Sequence, residues 1–314
     1  MSTIDKVRNS IDEEMQLFGK TFAESLYTEN PLLLSVNDYV LQKSGKQFRP
    51  MVTILSAKLS GIVNQSTIDA ALSLEFLHSA SLIHDDVVDD VHEHRGKPSV
   101  NARWTNKIAI LSGDYILSKS LVSANRTDSL PILKAIAQIG MQLSDGELLK
   151  LENTRFSENS ESNYFNIIRK KTAFLFATCA EVGGLSVGAD EETLQHLRNF
   201  GEYLGICFQL KDDIIDYRAD ISEGKVTLPL IYAVMNSTGA AKDLVLNWLI
   251  TKDYTSDNIE KITQFAIQNG GVDYALAQME AFKNKAIEEL KGFADSDIKQ
   301  SLIMCAEYAA NREY

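Results

Sequence analysis

The feature that most constrains the fold is the spacing of apolar residues, which recur at every third or fourth position along almost the whole chain. One example is the run Ile11, Met15, Phe18, Phe22 and Leu26. This spacing places apolar side chains on one face of an α-helix. The sequence contains no sustained alternation of apolar and polar residues bounded by Asn-Gly or Asp-Gly turns, which would indicate β-hairpins. The sequence therefore predicts an all-α protein.

Short polar segments separate the predicted helices. Gly45–Pro50 begins one helix, and Gly61–Ser66 separates it from the next. The other predicted loops are Glu93–Ser99, Asn125–Pro131, Asn153–Ser162 and Asp220–Gly224. The chain has no linker rich in Pro, Gly or Ser, and no repeat of about 20 to 50 residues. We therefore expect a single domain, residues 1–314, folded as one large helical bundle.

The charge balance and the cysteines limit the partners and the setting. The chain has 31 Lys and Arg against 43 Asp and Glu, a formal net charge of −12, which repels the phosphate backbone of nucleic acids. Cys179, Cys207 and Cys305 are far apart and lack metal-binding spacing, which favours a reducing, cytoplasmic setting. The N-terminal segment carries acids where a signal peptide is apolar, and no run of about 18 apolar residues occurs. We expect no nucleic-acid partner, no export and no membrane span.

A first acid-rich segment, residues 75–90, reads EFLHSASLIHDDVVDD, an apolar helix that ends in four carboxylates. At about 3.6 residues per turn, Asp85 and Asp89 share one face, Asp86 lies beside them, and His78 lies two turns upstream on that face. A single cluster of this kind also fits a solvated acidic helix end. Hard cations such as Mg²⁺ between the carboxylates would relieve their mutual repulsion.

The same D-D-x-x-D pattern returns in FQLKDDIID, where Asp212, Asp213 and Asp216 follow an apolar helical run. The repetition makes a solvated helix end a poor explanation of both segments. An EF-hand needs alternating ligands around a loop Gly, and a di-iron bundle needs Glu-x-x-His pairs; neither segment has them. Each motif supplies only part of an octahedral Mg²⁺ shell, which water and phosphate oxygens usually complete. The two motifs therefore predict a site for a metal-bridged diphosphate.

Cationic side chains accompany the acids. Lys46 and Arg49, in the segment GKQFRP, lie at a predicted helix start, where free N–H groups and the helix dipole favour phosphate. Further clusters are His92, His94, Arg95 and Lys97 after the first motif, and Arg169–Thr172 at the start of another helix. Each cluster alone is typical of a solvated surface. Together with two acidic motifs they indicate an anion-binding site.

These segments resemble the all-trans polyprenyl diphosphate synthases of the isoprenoid synthase family. The resemblance runs along almost the whole chain, through GKQFRP, EFLHSASLIHDDVVDD, RGKPSVNARW, LSGDYILSKS, DGELLKLE, RKKTAFLF, GICFQLKDDIIDY and EGKVTLPLIYA. It implies an all-α bundle with a central cavity, the two aspartate-rich helices facing each other across it, and a homodimer. It also implies a Mg²⁺-dependent prenyltransferase that condenses isopentenyl diphosphate with an allylic diphosphate.

The resemblance implies roles for individual residues. The diphosphate of isopentenyl diphosphate would be held by Gly45, Lys46, Arg49, His78 and Arg95. Mg²⁺ on the allylic diphosphate would be bound by Asp85, Asp89, Asp212 and Asp216, with Asp86 and Asp213 as further catalytic carboxylates. The allylic diphosphate and the reacting carbons would contact Lys171, Thr172, Gln209, His94 and Lys225. A buried core histidine stays an alternative for His78, and a packing role stays an alternative for Gln209.

Two features depart from the family. His94 stands before Arg95 where the family has an arginine, and an unperturbed imidazole is mostly uncharged at neutral pH. The stretch Asp216–Lys225 is about ten residues shorter than in the family, where it carries an additional Gly-Lys pair. Either the active-site loop is truncated, which would impair its closure over the substrate, or the sequence lacks a segment there.

Product length is partly encoded on the first aspartate helix. Ser81 and Ala80 stand four and five positions before Asp85, where bulky aromatic residues stop chain growth in the family. Small residues there imply a deeper product tunnel, with Leu77 and Leu74 toward its floor. The resemblance therefore implies a product longer than a farnesyl chain, the precursor of a quinone side chain, with peripheral delivery of this lipid to a membrane.

Two alternatives stay open. A class I terpene cyclase shares the metal chemistry, but it has no use for the second diphosphate site that GKQFRP, His78 and Arg95 indicate. A catalytically weak regulatory subunit of a heteromeric synthase would retain the fold, and His94 and the short stretch after Asp216 favour that alternative.

Overall fold

The structure is a computed structural model that describes residues 2–42, 45–94, 96–152 and 160–312. These residues form seventeen α-helices, one π-helical turn and a two-stranded hairpin. The helices are α1 Thr3–Asn9, α2 Asp12–Ser25, α3 Pro31–Gln42, α4 Phe48–Ser60, α5 Gln65–Val88, α6 Val100–Arg103, α7 Asn106–Arg126, α8 Leu130–Glu152, α9 Glu161–Ile168, α10 Phe174–Ser186, α11 Glu191–Ile215, α12 Tyr217–Ser222, α13 Leu228–Met235, α14 Ala240–Thr251, α15 Ser256–Gln268, α16 Gly271–Glu289 and α17 Asp297–Asn311. The π-helical turn is Arg169–Ala173, and the antiparallel hairpin pairs β1 Glu93–His94 with β2 Lys97–Pro98. The prediction of an all-α protein is confirmed.

Local signals start and stop the helices. The Asn64 side chain accepts a hydrogen bond from the Thr67 N–H at 3.2 Å and caps α5. The predicted loop Asp220–Gly224 is wrong in its first half, because α12 continues through Ser222. Gly224, with φ +75°, then makes the turn. Most of the predicted loop Asn153–Ser162 lies outside the described residues.

The chain divides into two compact units. Unit 1 comprises Met1–Gly140, Thr178–Arg198 and Phe293–Leu302, and unit 2 comprises Met141–Ala177, Asn199–Gly292 and Ile303–Tyr314. The organisation as a single domain stays a prediction. Within the described ranges, every helix is either too short or too polar to cross a bilayer.

Unit 1 is built around α5, which packs against α7, α4 and α2. Small residues bring α5 and α7 close together. The Ser73 hydroxyl donates to the carbonyl oxygen of Ser120 at 2.8 Å. Near the end of α5, the His84 ring lies over Gly113, where a Cβ atom would sit 2.3 Å from His84 Nε2. These contacts fix which face of α5 is turned to α7.

In unit 2, α13 packs against α15 and α16, and α12 packs against α15. Gly271 permits the approach of α16 to α13, because a Cβ atom there would lie 2.0 Å from the carbonyl oxygen of Pro229. Tyr217 and Ile221 of α12 belong to the apolar core of this unit. The segment that follows the second acidic motif is therefore anchored in a core.

Candidate active site

The first acidic motif occupies the C-terminal end of α5 in unit 1. Asp85 and Asp86 lie in its last turn and are partly buried, whereas Asp89 caps the helix and is exposed. The Asp89 N–H donates to the Asp85 carbonyl oxygen at 2.8 Å, which keeps the two residues one turn apart. These carboxylates lie at the C-terminal end of α5, which is the negative end of the helix dipole, and the last turn contains no Lys or Arg to offset their charge. This end of α5 favours a bound cation.

Side chains from α6 fix the segment that follows the first motif. The Asn101 amide nitrogen donates to the carbonyl oxygens of Asp86 at 3.2 Å and Val91 at 3.1 Å. The Ser99 hydroxyl donates to the same Val91 carbonyl at 2.7 Å. The backbone of His94 pairs with Lys97 in the hairpin. The predicted residue Arg95 lies outside the described residues.

Arg49 lies in the first turn of α4, as predicted, and Lys46 and the left-handed Gly45 precede the helix. Burial, together with the charge of Arg49, holds the pKa of His78 well below its usual range. Burial also raises the pKa of Glu75 to about 7, although the charge of Arg49 opposes this shift. At neutral pH, without a bound anion, His78 is therefore uncharged and has one N–H to donate.

The helical period of α5 divides the four predicted chain-length residues between two faces. Ser81 and Leu74 lie on the aspartate face, four and eleven positions before Asp85. Ala80 and Leu77 lie on the side that packs against α7. Ala80 is 1% exposed, so a larger side chain there has to enter the packing between α5 and α7.

The second acidic motif lies at the end of α11 in unit 2. The Asp216 N–H donates to the Asp212 carbonyl oxygen at 2.8 Å, so these two residues are again one turn apart. Arg312 follows α17 and places Nη2 2.6 Å from Asp212 Oδ1. The same nitrogen donates to the Phe208 carbonyl oxygen at 2.7 Å, and the guanidinium lies 3.2 Å from the centre of the Phe208 ring. A cation of the protein itself therefore holds Asp212.

Asp213 is buried and accepts two hydrogen bonds. The Tyr164 hydroxyl donates to Oδ2, and Gln209 Nε2 donates to Oδ1 at 2.8 Å. Gln209 Oε1 in turn accepts from the Thr172 hydroxyl at 2.7 Å. Burial raises the pKa of Asp213 to about 7, although both hydrogen bonds oppose this shift. The structure thus brings three predicted residues, Thr172, Gln209 and Asp213, into one hydrogen-bonded chain.

Lys171 lies in the π-helical turn Arg169–Ala173, a distortion that occurs often at functional sites. Its ammonium forms an ion pair with Oε2 of Glu147 on α8, a carboxylate whose side chain is 11% exposed. The Lys150 ammonium lies 2.9 Å from Oε1 of the same carboxylate. Glu147 therefore positions Lys171, and the two lysines leave this group of three with a net positive charge.

The short stretch after the second motif is folded as α12 and a turn. The Lys225 N–H donates to the Asp220 carbonyl oxygen at 2.8 Å. Its ammonium lies 3.4 Å from Asp220 Oδ1 and 2.6 Å from Glu223 Oε2. Lys225 is therefore held by acids of its own segment.

The donor set suits a hard cation that arrives with a ligand. In the described ranges, no three His, Cys, Asp or Glu side chains come together as a metal-binding group. Each motif instead offers two carboxylates one turn apart, Asp85 with Asp89 and Asp212 with Asp216. Mg²⁺ commonly takes one or two carboxylates and completes its shell with water and substrate phosphate oxygens. The residues therefore fit Mg²⁺ bound together with a diphosphate.

Four residues that contact the predicted site were not predicted. Glu147 lies in DGELLKLE and Asn101 in RGKPSVNARW, so the resemblance marked their segments without marking these residues. Tyr164 precedes Asp213 by 49 residues, and Arg312 follows the second motif by about a hundred; contacts over such separations leave no local sequence signal.

Comparison with known proteins identifies the family. The profile described as Polyprenyl synthetase matches residues 30–266. The chain belongs to the polyprenyl synthetase family. The matched residues include GKQFRP and both acidic motifs. The predicted resemblance to all-trans polyprenyl diphosphate synthases, and the enzyme class of prenyltransferases, are confirmed.

Relatives align with nearly all of this chain. The octaprenyl diphosphate synthase of Haemophilus influenzae is 31% identical over 325 aligned residues, covering 100% of this chain and 98% of the relative. The crystal structure of geranylgeranyl pyrophosphate synthase from Bacteroides thetaiotaomicron is 40% identical, with a TM-score of 0.85 and 100% of both chains covered. The structure of a polyprenyl synthase from Caulobacter crescentus complexed with calcium and isoprenyl diphosphate has a TM-score of 0.93 at 28% identity, with 98% of both chains covered. The predicted all-α isoprenoid synthase fold is confirmed.

Proposed function

We propose that this polyprenyl synthetase is a Mg²⁺-dependent enzyme that condenses isopentenyl diphosphate with an allylic diphosphate, head to tail and in trans, to give a product longer than a farnesyl chain. The observation that carries the proposal is the repeated pair of carboxylates one helical turn apart, in a chain that aligns over its full length with an octaprenyl diphosphate synthase. The relative complexed with calcium and isoprenyl diphosphate supports a divalent cation and a diphosphate as ligands.

The acids and one lysine would act on the allylic diphosphate. Mg²⁺ would be held by Asp85, Asp89, Asp212 and Asp216, with Asp86 and Asp213 beside them. When bound, Mg²⁺ neutralises the negative charge that develops on the leaving diphosphate. Lys171, already positioned by Glu147, adds a positive charge that needs no reorganisation during the reaction. Such charges let the allylic C–O bond ionise.

The second diphosphate would be bound by Gly45, Lys46, Arg49, His78 and Arg95. Arg49 supplies planar charged donors that match phosphate oxygens, and His78 adds an N–H donor. The double bond of isopentenyl diphosphate attacks the allylic cation, and the proton that is then lost goes to the departing diphosphate. His94 and Lys225 would contact the allylic diphosphate.

Chain length is proposed to depend on the aspartate face of α5. Replacing Ser81 by Phe places an aromatic ring one helical turn before Asp85 on the same face of α5. This substitution is expected to shorten the product without loss of stability. Ala80→Phe is also expected to shorten it, but at a cost of about 1–3 kcal/mol because the ring must enter the contact with α7. Leu82→Phe, at a position 49% exposed, is the control. An unchanged product length in Ser81→Phe, measured by chromatography, contradicts this assignment.

We propose a homodimer that uses the exposed face of α7. Ile110 and Leu111 are 44% and 68% exposed, and Leu121 and Val122 are 51% and 49% exposed. The two pairs lie about three turns apart on one side of the helix, and an exposed apolar patch indicates a protein contact. Replacing Leu111 and Leu121 by Lys is expected to shift the protein from dimer to monomer in sedimentation; an unchanged dimer would place the contact elsewhere.

The proposed setting is the cytoplasm, with the lipid product delivered at a membrane surface. All three cysteines are buried thiols, and burial raises the pKa of Cys179 and Cys207 to about 12. None of the three is paired in a disulfide, which fits a reducing compartment.

The proposal is tested by incubating the purified protein with labelled isopentenyl diphosphate and either geranyl or farnesyl diphosphate, with and without Mg²⁺. We expect Mg²⁺-dependent elongation beyond the farnesyl length in the sized, dephosphorylated products. A cyclic hydrocarbon would indicate a terpene cyclase. If neither primer is elongated, the proposal is contradicted, and mixing with an active homologous subunit then tests for a regulatory role.

A further inference from the structure

Four side chains of unit 2 form one directed chain of hydrogen bonds. Tyr164 of α9 and Gln209 of α11 both donate to Asp213, and Thr172 of the π-helical turn donates to Gln209. Tyr164 and Asp213 are each 7% exposed, so water does not compete strongly for this end of the chain. The chain runs from the buried core of the unit to a residue that is predicted to contact the reacting carbons.

The direction of these bonds follows from the donors and acceptors that each group has. The amide nitrogen of Gln209 can only donate, and it faces Asp213 Oδ1 at 2.8 Å; the amide oxygen can only accept, and it faces the Thr172 hydroxyl. A threonine hydroxyl has a single proton, and Thr172 gives it to Gln209 at 2.7 Å. The remaining lone-pair density of the Thr172 oxygen is then directed away from Gln209.

We propose that Tyr164 is a positioning residue, which acts through Asp213 and Gln209 to hold the Thr172 hydroxyl with its lone pairs presented to the allylic carbons. The inference rests on the proposed function, because those carbons carry positive charge only while the allylic C–O bond is ionised. An oxygen fixed with its negative end outward stabilises that charge without reorganisation. A hydroxyl free to rotate would present its proton for part of the time.

Tyr164→Phe keeps the ring, which packs edge to face on Phe165 with centroids 5.4 Å apart, and removes only the hydroxyl. Unit 2 offers a matched control in Tyr274, whose hydroxyl also donates to a carboxylate, Glu161 Oε1, at 2.7 Å. Glu161 belongs to no chain that includes Thr172 among the described contacts. Tyr274→Phe therefore removes the same kind of hydrogen bond without affecting the hydrogen bonds that join Tyr164 to Thr172.

The experiment is a double-mutant cycle on the full-length protein. It measures kcat, the KM of both substrates and thermal unfolding for Tyr164→Phe, Thr172→Val and the double variant, and for Tyr274→Phe alone and with Thr172→Val. We expect Tyr164→Phe to lower kcat about tenfold, with both KM values within about twofold of wild type. The double variant should be no slower than Thr172→Val alone, because both substitutions interrupt the same series of hydrogen bonds. Tyr274→Phe should leave kcat unchanged. The variant that combines it with Thr172→Val should therefore have the same kcat as Thr172→Val alone.

The outcomes separate this inference from the proposed function. If the wild-type protein does not elongate either primer, the proposed function fails. If it does, and Tyr164→Phe keeps the wild-type kcat or its loss multiplies with that of Thr172→Val, the inference is wrong. If Tyr164→Phe does not fold, Gln209→Met is used instead, because it removes the hydrogen bonds that join Asp213 to Thr172. The same non-additivity with Thr172→Val is then expected, and multiplicative losses overturn the inference.

Discussion

The two acidic motifs share one pattern but receive different support from the protein. The first ends α5, and the side chain that fixes its segment, Asn101, binds backbone carbonyl oxygens. The second continues into another helix, and its carboxylates themselves are bound by Arg312 and Tyr164. Side chains far along the chain therefore complete the second motif.

The buried acids of the two units sharpen this comparison. In unit 1, Glu75 lies on the same helix as the first motif but outside it, and burial raises its pKa to about 7. In unit 2, burial raises the pKa of Asp213, a member of the motif itself, to about 7, and that of Asp220, which lies after the motif, to about 6. In unit 2, a buried acid with a raised pKa is thus a member of the motif itself.

The largest expected effect concerns the first motif. Asp85→Asn removes a proposed Mg²⁺ ligand and is expected to lower kcat/KM about a thousandfold, since metal stabilisation of a leaving group is worth several kcal/mol. Asp90→Asn is the matched control, since Asp90 follows the same helix end, outside the motif, with its side chain 79% exposed. Steady-state elongation rates test the pair; equal losses in both variants would show that the pattern itself has no special role.

The next effect concerns the internal cation of the second motif. Arg312→Gln leaves Asp212 without a guanidinium partner, and because this pair is only 7% and 24% exposed we expect a loss of about 3 kcal/mol in the free energy of unfolding. Urea unfolding measures the loss. Added Mg²⁺ should recover more stability in this variant than in the wild type, because the ion can replace the positive charge that Arg312 no longer provides. Equal Mg²⁺ effects would contradict the account of Arg312.

Glu75 tests the buried acid of unit 1. A native pKa of about 7 against a usual 4.5 means that the folded state keeps a proton which the unfolded state has lost. Stability from this group is therefore full below pH 4.5 and is lost as pH rises through 7. Between about pH 5 and 7, the free energy of unfolding should therefore fall by about 2 kcal/mol less in Glu75→Gln than in the wild type, as measured by urea unfolding at each pH.

His78 does not disturb this test. Its lowered pKa makes stability rise with pH in both proteins, so the difference between them isolates Glu75. Parallel stability curves for Glu75→Gln and the wild type would contradict a raised pKa for Glu75.

The smallest effect concerns Lys225, whose side chain is 50% exposed. Its local ion pairs are worth at most about 1 kcal/mol, so Lys225→Met should scarcely change thermal unfolding. If Lys225 also binds the allylic diphosphate, the KM of that substrate rises about tenfold. Lys261→Met is the control, because Lys261 pairs with Asp257 and is 56% exposed. An unchanged KM in Lys225→Met would restrict Lys225 to its local contacts.

Local physics made most of the fold predictable. Apolar spacing, Pro50 and the polar segment Gly61–Ser66 predicted where α4 begins and where α5 follows it. The helix α12 was missed because its polar sequence has weak local preference, and the burial of Tyr217 and Ile221 in the core of unit 2 overrides that preference.

The candidate site was predictable only in its repeated pattern. The resemblance marked Thr172, Gln209 and Asp213, and the structure adds the bonds that join them. Tyr164 and Arg312 could not be predicted, because they contact residues far away in the sequence. No helical or turn periodicity links either residue to its partner.

The most direct test is to count the divalent ions held by each motif. Mn²⁺ binding, followed by its paramagnetic resonance signal in the presence of an unreactive thiodiphosphate analogue of farnesyl diphosphate, reports the number of bound ions. We predict that Asp85→Asn and Asp212→Asn each bind fewer ions than the wild type, because the proposed function assigns Mg²⁺ ligands to both motifs. If either variant retains the full number, that motif is not a metal site, and the repeated pattern does not have the shared function proposed for it.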